Sequence, residues 1–210
     1  MRRTELEEQR GFSLVELVIV MAIMLAIAAY AIPSTLSAIS DYRLKNTMTQ
    51  VAGLFQQQRI QAVRLNSVVT SPQAQTINGR TVRWFDTPST STATHTDNQY
   101  DAGEPMIEFP NKIQIATSGA PTLSASVAGF SAQSTTTAIK FNARGLPCIV
   151  TTTCVNLDTT TNPSTPKQIG FLIYFKNNKS FGQTGWGAVT ISPSGRINTW
   201  VYNGSSYSKM

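Results

Sequence analysis

The chain has 210 residues, and only 13% of them are charged, against roughly 25% in an average soluble domain. It carries 17 Lys and Arg against 11 Asp and Glu, a formal net charge of +6, with 41% hydrophobic residues. This composition excludes a highly charged disordered chain. The single histidine excludes a histidine-rich metal site and any mechanism needing two imidazoles.

Met1 to Gly11 is mostly polar, with Arg2, Arg3 and Arg10 against Glu5, Glu7 and Glu8. From Phe12 to Ile32 the chain is nearly continuously apolar, and no charged residue occurs from Leu17 through Ser40. That run reaches the length of about 20 residues that crosses a bilayer as a helix. The upstream arginines favour a cytoplasmic N-terminus. Ala26-Ile27-Ala28 and Ala29-Tyr30-Ala31 offer sites of the kind a signal peptidase cuts, so a cleaved signal peptide and a plain membrane anchor are two readings of the run. Neither explains Glu16. A carboxylate in a membrane span costs at least about 2.5 kcal/mol, so it calls for a partner or a place at the membrane edge.

Pro33 interrupts the apolar run without ending it, and a proline inside a helix kinks the axis. Beyond it, Leu44, Met48, Val51, Phe55, Ala62 and Leu65 recur at steps of three and four, with Gln58 the one polar intruder. Arg43, Lys45, Gln56, Gln57, Arg59 and Arg64 lie mostly off that stripe. The pattern predicts an amphipathic helix to about Asn66, slightly weakened by Gly53.

After Asn66, short β-rich runs alternate with Ser, Thr, Pro and Gly. Strands are expected near Val68–Thr70, Thr81–Phe85, Met106–Phe109, Lys112–Ala116, Ala138–Asn142, Ile169–Lys176, Gly187–Ser192 and Arg196–Tyr202. The last two form a hairpin around Ser192-Pro193-Ser194-Gly195. Thr87–Thr96, Thr117–Thr137 and Thr151–Pro166 read as surface loops or strands with polar outer faces. Cys148 and Cys154 are the only cysteines, and their even count and short spacing in an exported domain favour a disulfide. With His95 distant, they cannot supply a four-ligand zinc site.

Arg10-Gly11-Phe12-Ser13-Leu14-Val15-Glu16, followed by the apolar run and Pro33, resembles the processing site of type IV pilins and type II secretion pseudopilins. The resemblance implies that a prepilin peptidase cuts between Gly11 and Phe12 on the cytoplasmic side and methylates the new N-terminus of Phe12. It places Glu16 at the class's characteristic glutamate and Pro33 at its helix-kinking proline. The Phe12 ammonium of one subunit then approaches Glu16 of its neighbour, and pairing offsets part of the desolvation of both charges while setting the register. The leader's three arginines and three glutamates cancel, so the mature chain keeps its +6.

Phe141-Asn142-Ala143-Arg144-Gly145-Leu146-Pro147 and Ile191-Ser192-Pro193-Ser194-Gly195-Arg196-Ile197 resemble segments of the GspH/FimT group of minor pilins and pseudopilins. The fold so implied is α+β: a long N-terminal helix, transmembrane and then amphipathic, packed on an antiparallel β-sheet domain. The expected parts are a leader at 1–11, a transmembrane assembly segment at 12–33, an amphipathic helix at 34–66 and a periplasmic β-rich domain at 67–210. Expected partners are the prepilin peptidase, other pilins or pseudopilins in a filament, and the inner membrane.

Nothing in the sequence has the pattern of a catalytic site: no G-x-S-x-G elbow, H-E-x-x-H or phosphate-binding glycine loop occurs. His95 falls in a Thr-rich loop. Asp86, Asp97, Asp101, Glu104 and Glu108 lack the spacing of a calcium loop. No enzyme activity, cofactor or metal is expected. The rival activity is nucleic-acid binding, since some FimT-type pilins bind DNA through a G-R-x-R element. Here Gly195-Arg196-Ile197-Asn198 lacks the second arginine, and Arg196 with Trp200 would supply charge and stacking. Three functions stand on this footing: a minor pseudopilin of a type II secretion system, a minor type IV pilin in pilus biogenesis or DNA uptake, and an unrelated membrane-anchored binding domain with a pilin-like start.

Overall fold

The computed structural model describes residues 12–71, 74–77, 80–86, 100, 103–116, 118–130, 133–134, 138–150, 154–155, 157–158, 167–179 and 184–210. One long helix, α1 (Leu14–Arg64), opens the chain. The short strands β1 (Val69–Ser71), β2 (Gln75–Ile77), β3 (Arg80–Trp84), β4 (Met106–Glu108) and β5 (Ile113–Ala116) follow. Then come α2 (Ala125–Ala128), β6 (Gln133–Ser134), β7 (Ile139–Phe141), β8 (Pro147–Val150), β9 (Cys154–Val155), β10 (Leu157–Asp158) and β11 (Lys167–Gln168). The chain closes with β12 (Phe171–Asn178), β13 (Thr184–Ile191), β14 (Ile197–Tyr202) and β15 (Tyr207–Lys209). The architecture is α+β, as expected. The chain divides into two compact units, residues 1–39 and 40–210.

In the first unit the described part of α1 is apolar all round and has no inside. Leu14, Met24 and Leu25 are 79%, 64% and 71% exposed, and no residue of this stretch is buried. By length and composition the helix is able to cross a membrane. So much uncovered apolar surface requires lipid or other chains around it.

The second unit is built on a sheet of order β15-β14-β13-β12-β5. Its pairs are antiparallel, and β6 adds one short parallel pairing to β12 at Phe171 and Leu172. Three smaller sheets flank it, of orders β1-β7-β8-β9, β2-β3-β4 and β10-β11. The expected hairpin is present, with Ile191 opposite Ile197 and Gly187 opposite Val201. The Thr117–Thr137 stretch, read as surface loop or strand with a polar outer face, holds the strand β6 and also the short helix α2. Thr87–Thr96 and most of Thr151–Pro166 lie outside the described residues.

From Leu44 onwards α1 joins the main core, with Leu44, Met48, Val51, Leu54, Phe55 and Ala62 packed with Phe141, Phe175, Val189 and Ile191. Glycine on the sheet lets the helix come close. A Cβ on Gly187 would lie 2.3 Å from the Met48 sulphur, and one on Gly185 would lie 3.6 Å from the Leu44 side chain. The start of this segment is tied down by polar contacts. Asn177 Nδ2 donates to the Ser40 carbonyl and hydroxyl at 2.7 and 2.8 Å, and Lys179 pairs with Asp41 at 2.7 Å. A second core on the other face of the sheet gathers Leu123, Leu172, Tyr174, Ala188, Trp200 and Tyr207.

The buried stripe differs from expectation at three positions. Leu65 lies just past the last helical turn and is 41% exposed. Thr47 and Leu54 are buried in its stead. Gln58 is no intruder: it is fully buried, and its Nε2 donates to the carbonyls of Val69 and Ile139, both at 2.9 Å. It thereby joins α1 to β1 and β7. Arg83 is also fully buried, its guanidinium 5.1 Å above the Phe55 ring and its Nε donating to Ser71 Oγ. Desolvation lowers its pKa from the ordinary 12.5 to about 9, so it remains a cation at neutral pH.

Candidate functional site

In the first unit, the residues singled out in the sequence fall at the start and middle of one helix. Phe12 is 81% exposed and precedes α1 by two residues. Glu16 is an exposed acid in the first helical turn, where the unpaired amides of a helix start favour negative charge. Ser13 accepts from Leu17 N–H at 3.1 Å, so the helical hydrogen bonds begin around Glu16. Pro33 lies inside α1, and its missing N–H removes the donor that would serve the Ala29 carbonyl. Two residues on, Thr35 Oγ1 donates back to Ala31 O at 2.9 Å, a contact of the kind that bends helices. Gly11 lies outside the described residues.

In the second unit, the two motif segments form the same turn twice. In the first, between β7 and β8, Asn142 N–H donates to Leu146 O at 3.0 Å and Gly145 N–H to Asn142 O at 2.8 Å. In the second, between β13 and β14, Ser192 N–H donates to Arg196 O and Gly195 N–H to Ser192 O, both at 2.8 Å. A side chain braces each turn from within. Asn142 Oδ1 accepts from the amides of Arg144 and Leu146, and Ser192 Oγ accepts from the amide of Arg196. Both glycines have positive φ, 71° at Gly145 and 79° at Gly195, which a Cβ disfavours.

The turns lie against each other and against α1. A Cβ on Gly195 would fall 2.6 Å from Gly145 O, and one on Gly145 would meet Val63 and Arg59 side-chain atoms at 3.0–3.1 Å. Arg59 fills the space between them, and its Nη1 donates to Gly195 O at 3.0 Å. The sequence pattern puts Arg59 off the buried stripe and gives it no role. Its position next to Gln58, on the flank of the buried stripe, was the available signal.

The remaining expected residues separate. Arg196 is exposed at the end of its turn. Trp200, by contrast, is 7% exposed in the second core, and its indole N–H donates to Thr190 Oγ1 at 2.9 Å. Alternation along β14 turns it inward, so it is a core residue and not a stacking platform for nucleic acid. Cys148 and Cys154 form a bonded pair with Cα atoms 5.4 Å apart, and Val150 pairs with Cys154 across β8 and β9. Asp86 and Glu104 are buried, and no group of three metal-ligating side chains occurs among the described residues. His95, Asp97 and Asp101 lie outside them.

Residues 8–32 match the family model described as the prokaryotic N-terminal methylation motif. No curated protein and no solved structure matched the chain. A methylation motif heading a long apolar helix, followed by a β-rich domain, fits a type IV pilin-like protein, pilin or pseudopilin.

Proposed function

We propose that the chain is a minor pseudopilin of a type II protein secretion system, a structural subunit of the inner-membrane-based pseudopilus that drives protein export. The observation that carries this reading is the methylation motif at 8–32, placed at the head of a helix whose first half leaves its apolar surface uncovered. A filament of packed helices would cover that surface. The glycine turns at 142–145 and 192–195, whose sequences resemble the GspH/FimT group, support a minor subunit over a major one.

In this reading the prepilin peptidase cuts between Gly11 and Phe12 on the cytoplasmic side of the inner membrane and methylates Phe12. The β-rich domain is periplasmic. Glu16 pairs with the Phe12 ammonium of the neighbouring subunit, Pro33 bends the helix where the span ends, and the Cys148–Cys154 disulfide persists in the periplasm.

Deleting the gene should abolish export of secreted proteins across the outer membrane. Re-expressing the Glu16→Ala variant should restore membrane insertion but not export, because an unpaired ammonium is left in the bundle. Mass spectrometry of the mature protein should find an N-methylated Phe12 at its start. Normal export in the deletion strain, with lost piliation or DNA uptake, would move the chain to the second reading, a minor type IV pilin. The exposed Arg196 is the observation on that side.

A further inference from the structure

The two glycine turns bring together cations that are distant in sequence. Arg144 directly precedes Gly145, Arg196 directly follows Gly195, and the turns touch, with Arg59 between them. Arg144 and Arg196 are exposed, and Arg59 is half-buried. Among the described residues none of the three guanidiniums is in an ion pair. Arg59 uses one nitrogen on Gly195 O, and its fork keeps further donors. Fixing three like charges at one end of a domain is unfavourable unless an external anion answers them.

The surface beside these cations is aliphatic. Val63 packs against the first turn while remaining 51% exposed, and Ile60, one helical turn before it, is 64% exposed. Leu65 adds a third exposed aliphatic side chain at the helix end. Arginine is enriched at protein–protein contacts, and the exposed aliphatic groups beside it leave apolar surface for a partner to cover. Single-stranded nucleic acid is held in part by stacking on aromatic faces, and of the aromatic residues that follow Arg196 in the chain Trp200 and Tyr207 are buried and Tyr202 is half-buried.

We propose that the end of the second unit formed by Arg59, Arg144 and Arg196 with Ile60 and Val63 is a docking surface for an acidic, aliphatic-bearing segment of another protein. A second copy of this chain is a poor occupant, because each copy carries +6. Carboxylates of the partner would bridge Arg144 and Arg196, and its aliphatic side chains would cover Val63 and Ile60. The proposal is independent of which filament the chain belongs to.

The test uses the full chain in a neutral detergent and three fluorescent probes: a peptide of glutamate and leucine, the same peptide with glutamine for glutamate, and single-stranded oligothymidylate. The glutamate peptide should bind, with affinity falling as salt rises, and the glutamine peptide should bind at least about tenfold more weakly. The double variant Arg144→Gln with Arg196→Gln should weaken binding of the glutamate peptide at least about tenfold while the thermal midpoint does not fall, since both side chains are exposed and their mutual repulsion is removed. Lys45→Gln, at the other end of α1 in this unit, should leave binding unchanged. Equal binding of the two peptides, or binding indifferent to the double variant, would overturn the proposal. So would oligothymidylate binding more tightly than the acidic peptide, or no binding of that peptide at low salt.

Discussion

The two stretches of α1 solve the same problem in different ways. Residues 14–39 are apolar on every face and bury nothing, whereas residues 40–64 have a buried face and a polar one. A helix without a polar side has no orientation to prefer, so its surroundings must be uniformly apolar, as lipid or a bundle of similar helices is. A helix with one apolar stripe has a single way to lie on a sheet. The lesson is that one continuous helix can serve an environment and a fold in turn. The change of pattern begins near the first charged residues after the span, Asp41 and Arg43.

The sharpest way to break this contrast is truncation in each stretch. Phe55→Ala removes a fully buried ring from the main core and should lower the stability of the second unit by about 3–5 kcal/mol. Ile23→Ala, at a position 55% exposed in the first stretch, should change that stability by less than about 0.5 kcal/mol. Denaturant unfolding of the full chain, followed by tryptophan fluorescence, checks both. Comparable losses would mean that the two stretches unfold as one structure.

The polar anchor comes next. Gln58→Leu keeps the volume but strips the donors from the Val69 and Ile139 carbonyls, and leaving buried acceptors unpaired should cost about 1–3 kcal/mol in the same measurement. No loss would show that the hydrogen bonds to β1 and β7 are replaceable.

The glycines of this unit allow a smaller comparison. Gly187→Ala places a methyl against Met48 and should destabilise by about 1–3 kcal/mol. Gly53 has open space at its Cβ position, so Gly53→Ala should stabilise the helix by up to about 1 kcal/mol. Opposite signs in thermal unfolding are the expected outcome.

The smallest effect is one of pH. Burial, and then the nearby Tyr174 and Tyr202, raise the Tyr207 phenol well above its ordinary value of 10.0. Its stabilising contribution is therefore full below pH 10. Above that, the unfolded chain gives up the phenolic proton while the folded one keeps it, and stability falls as pH rises. Tyr207→Phe should show a shallower decline above pH 10, on top of a pH-independent loss of about 1 kcal/mol for the hydrogen bond to Pro121 O. Parallel curves would place the alkaline transition on another group.

Much of this molecule was legible from periodicity. The apolar run, the helix to Arg64 and the hairpin of β13 and β14 follow from hydrophobic spacing and a Pro-Ser-Gly turn, which are local signals. The two-residue strands β6, β9, β10 and β11 were not legible, because two residues carry too little pattern to register. The stripe holds at Gln58 and fails at Leu65. The spacing of a stripe does not report where the sheet beneath it ends, nor that a buried amide meets two carbonyls there. Trp200 was misread because a strand shows two faces, and only the partner layer decides which of them is inside.

By itself the sequence determined the prepilin-type segment, since Gly11, Phe12 and Glu16 before an apolar run form a local pattern, within residues 8–32 that match the methylation motif. It also determined that the Ser192–Gly195 loop would turn between the last two long strands. Only the tertiary structure decided that the two turns touch, that Arg59 from the helix fills the space between them, and that Arg144 and Arg196 are exposed on those touching turns. The physical reason is distance along the chain. Gly195 lies 136 residues from Arg59, and no pattern in either segment encodes the other until α1 is laid across the sheet.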